Sequence, residues 1–181
     1  MNKLYIVFLL LGLSNASLFS QNKVCTLTKL DGSLQNGYVK DHQSFFGNRF
    51  KLYNAAGNFV KIKAKNYQSL KVDNAQFIVL KSKEGTMRFM EEIITEGKAK
   101  LYRHSYQVMV QMSMHTVQDY YLMKNDVVFY LSTSKLKDFP ERYFGGVPAL
   151  LEDIRKTKKR DQDSKIVEWV KTYNQAFAET N

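Results

Sequence analysis

From Lys23 to about Leu131, apolar and polar positions alternate with a period of two, in short runs broken by Gly, Asn and Asp. That pattern predicts strands with one buried face. The runs are 24–30, 35–40, 48–53, 59–64, 69–72 and 76–80. Asp31-Gly32 separates the first two as a hairpin turn, because both residues tolerate positive φ. A second turn falls at Asn54-Ala55-Ala56-Gly57. The run after it alternates most cleanly, with Val60, Ile62 and Ala64 on one face and Lys61, Lys63 and Lys65 on the other. Residues 87–96 stay open: Met90, Ile93 and Ile94 fit a short helical stripe, whereas Met87-Arg88-Phe89 reads as extended, and Gly97 breaks the chain. Residues 98–103 read as a strand. Residues 105–115 alternate over their whole length, setting Tyr106, Val108, Val110, Met112 and Met114 opposite Gln107, Met109, Gln111, Ser113 and His115. Segments 120–123 and 127–131, rich in aromatic and β-branched residues, predict a hairpin around Asn125-Asp126.

After Ser134 the period changes. Residues 135–144 predict at most a short helix, interrupted by Pro140 and ended by Gly145-Gly146. Val147, Leu150, Leu151 and Ile154 then fall on one helical face, with Pro148 in the first turn. Asp163 or Ser164 suits the cap of a last helix, on which Ile166, Val170, Tyr173 and Phe177 form a stripe widened by Trp169. Apolar helix faces must be buried, most simply against the sheet. The expected fold is α+β: an antiparallel β-meander sheet or partial barrel, residues 21–134, followed by two or three C-terminal helices, residues 135–181, packed on it as one domain.

Residues 1–20 read differently again. Lys3 precedes the uncharged apolar run Tyr5 to Leu13, and small and polar residues follow at Ser14, Ala16 and Ser20. An h-region of ~7–15 residues marks a secretory signal, whereas a membrane span needs ~20. A cleavable export signal is expected, cut after Ala16 or after Ser20, with no transmembrane span left once it is removed. The expected location is periplasmic, outer-membrane associated or secreted. Cys25 is the only cysteine, so no intrachain disulfide forms. Eleven residues separate it from the apolar run, with Asn22 and Val24 where a lipoprotein signal has Leu and a small residue. It reads as a small apolar residue of the first strand.

Composition adds a bias in charge. The chain carries a net +10, concentrated before residue 135. Between His42 and Val72 stand Arg49, Lys51, Lys61, Lys63, Lys65 and Lys71 with no acid among them, interleaved with Phe45, Phe46, Phe50, Tyr53, Phe59 and Tyr67. Like charges on one sheet face repel unless an anion is near. These six residues are the candidate anion-binding set, and lipopolysaccharide or anionic lipid is the ligand class that fits export; nucleic acid does not fit it. A solvated face that discourages edge pairing, where lysine is common, is the simpler account of these lysines. The second basic run, Arg155 to Arg160, sits where cations complement a helix C-terminus.

Catalytic patterns are sparse. His42, His104 and His115 are scattered, with approach of His104 and His115 across neighbouring strands left open. No Gly-x-Ser-x-Gly elbow occurs, and Gly145-Gly146 lacks the Lys and Ser or Thr of a phosphate loop. Glu92 and Glu96 would share a face only on a helix. Neither a cofactor nor a metal is expected.

Several short motifs carry a resemblance: Leu30-Asp31-Gly32 with Gly37-Tyr38-Val39, Phe50-Lys51-Leu52-Tyr53, Gly97 followed by Leu101-Tyr102, Tyr120-Tyr121-Leu122, and a tail with Ile166-Val167 and Tyr173-Asn174. In this order they resemble a family of small exported β-rich proteins from Bacteroidetes-type bacteria. The resemblance implies an exported β-rich protein with a helical tail and implies no catalytic residue. The expected function is a non-enzymatic binding or structural module of the cell envelope, whose partner is an anionic envelope component or another envelope protein. The alternatives are an anion-binding protein and a hydrolase with an unrecognised site.

Overall fold

A computed structural model describes residues 23–39 and 49–178. The expected signal segment, its cleavage sites, Phe45, Phe46 and His42 lie outside them. Among the described residues ten strands form one antiparallel sheet: β1 (Lys23–Lys29), β2 (Leu34–Val39), β3 (Arg49–Tyr53), β4 (Phe59–Lys63), β5 (Tyr67–Val72), β6 (Ala75–Lys81), β7 (Met87–Ile94), β8 (Lys100–Val110), β9 (Ser113–Lys124) and β10 (Val127–Leu131). Their order is β10-β9-β8-β7-β6-β5-β1-β2-β3-β4. Two meanders, β1–β4 and β5–β10, are thus joined by the β1–β5 pair. Four helices follow among the described residues: α1 (Thr133–Asp138), α2 (Glu141–Phe144), α3 (Pro148–Lys156) and α4 (Gln162–Ala178). The α+β class is as expected, and the helix count rises to four because Pro140 splits the first helical stretch.

This strand order forces the sheet to curl. In a flat sheet the end of β4 and the start of β5 would stand four strand spacings apart, ~19 Å. The chain bridges them with the single turn Ala64–Asn66, and four residue steps reach only ~14 Å. The β3–β4 hairpin therefore folds over the sheet, and the Ala64–Asn66 turn packs against β7. Gly37 sits at the crossing: a Cβ there would meet the Leu52 side chain and the Tyr53 carbonyl oxygen, each at 2.6 Å. Between the folded-over hairpin and β1 and β5 lie Cys25, Leu27, Val39, Leu52, Ile62, Leu70 and Val72. The Cys25 thiol is pushed up to about 12, by burial first and then by the Asp73 charge. Among the described residues the sheet does not close into a barrel, since β4 and β10 stand at the two ends of its strand order.

The helices cover the other half of the same face. Leu101, Tyr120, Leu122 and Leu131 pack with Leu136, Phe144, Ile154, Ile166, Trp169, Val170 and Tyr173. The stripe on α4 is as the spacing requires. Its start is not: α4 begins at Gln162, continuous with a turn at Lys159–Asp161, and Ser164 Oγ donates back to the Asp161 carbonyl instead of capping. The last turn of α3 carries Arg155 and Lys156, paired with Glu141 and Glu152.

One open stretch resolves, and one expected continuous alternation is corrected. Residues 87–94 are strand, with a register shift between Glu92 and Ile94, so Glu92 and Glu96 share no helical face. Glu91 pairs with Arg103 at 2.6 Å. The run 105–115 is not one strand. It turns at Gln111-Met112, both at positive φ (47° and 65°), and Val110 pairs with Ser113. Crossing a two-residue turn inverts parity, so Tyr106, Val108 and Val110 share a face with His115 and Val117, while Met109 pairs with Met114 on the other. Alternation alone cannot reveal such a turn when no Gly or Asn marks it.

Candidate functional site

The β3–β4 hairpin collects most of the basic set. Ile62 faces the core at 1% exposure, so its neighbours Lys61 and Lys63 must face outward, and both are exposed. The register sets Lys51 opposite Lys61 and Arg49 opposite Lys63. The next pair along, Tyr53 opposite Phe59, belongs to the same side of the hairpin. Tyr53 stacks on Tyr38 of β2 at 5.6 Å between ring centroids and tilts against Phe59 at 6.2 Å. The register thus runs from the aromatic pair Tyr53–Phe59 to two positions at which basic residues stand opposite one another. Directly opposed like charges destabilise a sheet. Among the described residues no acid forms an ion pair with Lys61, Lys63 or Lys65.

Two members of the set are placed elsewhere. Lys65 does not continue the strand face; it is exposed in the Ala64–Asn66 turn that follows β4. Lys71 is exposed on β5 between the buried Leu70 and Val72, with Thr26 and Gln76 as its register neighbours. Three strands separate β5 from β4 in the sheet. The register therefore places Arg49 and Lys51 opposite Lys63 and Lys61, leaves Lys65 in the turn beyond them, and sets Lys71 on β5.

A second polar cluster was invisible in the sequence. It lies on the sheet face away from the helices, where Tyr102, Tyr121 and Tyr130 fall in one register row. The turn Ser82–Thr86 folds onto this row. Lys83 Nζ donates to Asp119 (2.9 and 3.1 Å) and to the Tyr130 hydroxyl (3.1 Å), and that hydroxyl donates to Asp119 at 3.2 Å. The Lys83 backbone N–H donates to the Tyr121 hydroxyl at 3.3 Å. Asp119 is only 6% exposed. Burial would lower the Lys83 pKa, but the hydrogen bonds to Asp119 and Tyr130 raise it overall. Burial pushes the Tyr121 hydroxyl up to about 12.

His104 pairs with Asp119 in register and is buried, with its ring stacked on Tyr106 at 5.3 Å. Burial, and then the Arg88 charge, push its pKa down to about 4. His115 is four register positions further out, opposite Val108, so the two histidines do not approach each other. A histidine this weakly basic and a carboxylate already held by lysine and tyrosine make a poor acid–base pair near neutral pH. What the cluster does is tie the Ser82–Thr86 turn to the sheet. No group of three His, Cys, Asp or Glu among the described residues is arranged to hold a metal ion.

No protein-family model, curated protein or solved structure matches this chain. Among the described residues no helix is long and apolar enough to cross a membrane.

Proposed function

We propose that the protein is an exported, non-enzymatic module of the cell envelope that binds phosphorylated lipid headgroups, those of lipopolysaccharide or anionic phospholipid, through the outer side of the β3–β4 hairpin. The observation that carries this is the register: Lys51 opposite Lys61 and Arg49 opposite Lys63, with Tyr53 and Phe59 beside them. Such a face is costly when empty and complementary to an anion flanked by an apolar body. Export rests on the signal-like segment of residues 1–20, and the family resemblance supports it.

The test is the gain in vesicle affinity when phosphatidylglycerol is added to phosphatidylcholine. The gain should shrink at least tenfold in a Lys61→Gln/Lys63→Gln/Lys65→Gln variant, and should vanish near 1 M salt, where screening acts within ~3 Å. Lys71→Gln should leave it unchanged. A gain that persists at high salt, or in the triple variant, defeats the proposal.

A further inference from the structure

The β8–β9 hairpin outruns its neighbours. Pairing of β8 with β7 ends at Arg103, and pairing of β9 with β10 ends at Tyr120. Among the described residues, from the Ser105–Gln118 pair to the Val110–Ser113 pair the hairpin's strands pair only with each other, an arm ~20 Å long at ~3.4 Å per residue. Its sequence, Ser105 to Gln118, contains no Lys, Arg, Asp or Glu in a chain that is 24% charged. Solvent-facing edges are usually protected by such charges. The tip is apolar and open: Met112 is 97% exposed, Met109 73%, Met114 56% and Val110 49%.

We propose that this arm inserts its tip into the interfacial layer of a lipid bilayer. Four observations favour lipid over a second copy of the chain or another protein. Met109 and Met114 project on one side of the hairpin, Val110 on the other, and Met112 stands at the apex, so apolar groups surround the tip instead of lining one face. An isotropic apolar medium accepts that shape, whereas a protein surface covers one side. The arm carries no formal charge that would resist desolvation. The apolar part, residues 109–114, is about three residues tall, close to the ~5–10 Å depth of interfacial insertion, which leaves the unpaired backbone of the arm's stem among hydrated groups. Unbranched methionine side chains adapt to a disordered partner.

The experiment places a reporter at the apex. Met112→Trp is made in the full chain, where the native Trp169 is 1% exposed and insensitive to the surface. With vesicles of phosphatidylcholine alone, at high salt, emission from the introduced indole should shift to the blue and be quenched by brominated acyl chains. The readout is local, so the apolar run at residues 5–13 does not contribute, and neutral lipid at high salt separates this insertion from headgroup binding by the basic hairpin. Met109→Asp/Met112→Asp should weaken vesicle binding at least tenfold. Gln111→Asn/Met112→Gly, which installs favoured turn residues and removes the apex side chain, should weaken binding while preserving the fold. Absence of vesicle binding, an apex indole left unquenched on bound protein, unchanged binding by both tip variants, or a dimer abolished by them would each overturn the proposal.

Discussion

Replacing Gly97 or Asn174 tests how the helical tail is joined to the sheet. Asn174, on α4, reaches back to the loop before β8. Its carbonyl oxygen accepts the Ala99 N–H at 2.8 Å, and its amide donates to the carbonyls of Ala99 (2.8 Å) and Glu96 (3.1 Å). Ala99 is fully buried. Asn174→Ala leaves its N–H and carbonyl without their side-chain partner. At ~1–3 kcal/mol for each of the two orphaned buried groups, less ~0.6 kcal/mol gained from helix propensity, the net loss should be roughly 1.5–5 kcal/mol. Gly97 is the other half of the contact. Its φ is +98°, and a Cβ there would stand 2.5 Å from the Asn174 side-chain Cγ. Gly97→Ala should therefore incur left-handed strain of ~1–2 kcal/mol and also displace Asn174 from its three bonds. Those bonds can be lost only once. The double variant should then be less destabilised than the sum of the singles by about 2 kcal/mol. Urea unfolding followed by Trp169 fluorescence measures all four corners of the cycle. Additivity within ~0.5 kcal/mol would show that Gly97 and Asn174 do not act through one another, and would refute the clamp.

Two further predictions concern the polar cluster under the Ser82–Thr86 turn. His104 is held at about 4 when folded against an ordinary 6.5, by burial and by Arg88, with Lys83 adding to and Asp119 and Glu84 opposing the shift. Between those values the unfolded chain binds the proton that the folded chain refuses. Stability should thus be fully present above pH 6.5 and fall by ~3 kcal/mol as pH drops toward 4; His104→Asn should flatten the slope in that window, and an unchanged slope would remove His104 as its source. Asp119→Ala should release the Lys83 ammonium and loosen the turn, seen as faster hydrogen exchange at the Lys83 amide, which donates to Tyr121. Unchanged protection of that amide would mean the turn is held by packing alone.

What the sequence disclosed and what it hid divide along one physical line. Local signals were legible because they act within a few residues. Asp31-Gly32 and Asn54–Gly57 turn where positive φ is needed, at Gly32 and Gly57; Ile62 faces inward between two lysines; the α4 stripe buries Ile166, Val170 and Tyr173. The basic side of the β3–β4 hairpin was legible as a cluster of residue types but not as a surface. Only the register decides that Arg49 and Lys51 join Lys61 and Lys63 while Lys71 does not. The polar cluster needed more still. Lys83, Asp119 and Tyr130 are far apart in sequence, and they meet because the chain reverses at Gln111-Met112. That reversal uses two residues with little intrinsic preference for positive φ, so it costs local strain. A sequence that accepts such a turn in place of Asn-Gly keeps a methionine at its apex, and Met112 is the most exposed large apolar side chain among the described residues. The least readable turn in the chain therefore also presents its most unusual surface. Both facts follow from one choice of residue at position 112.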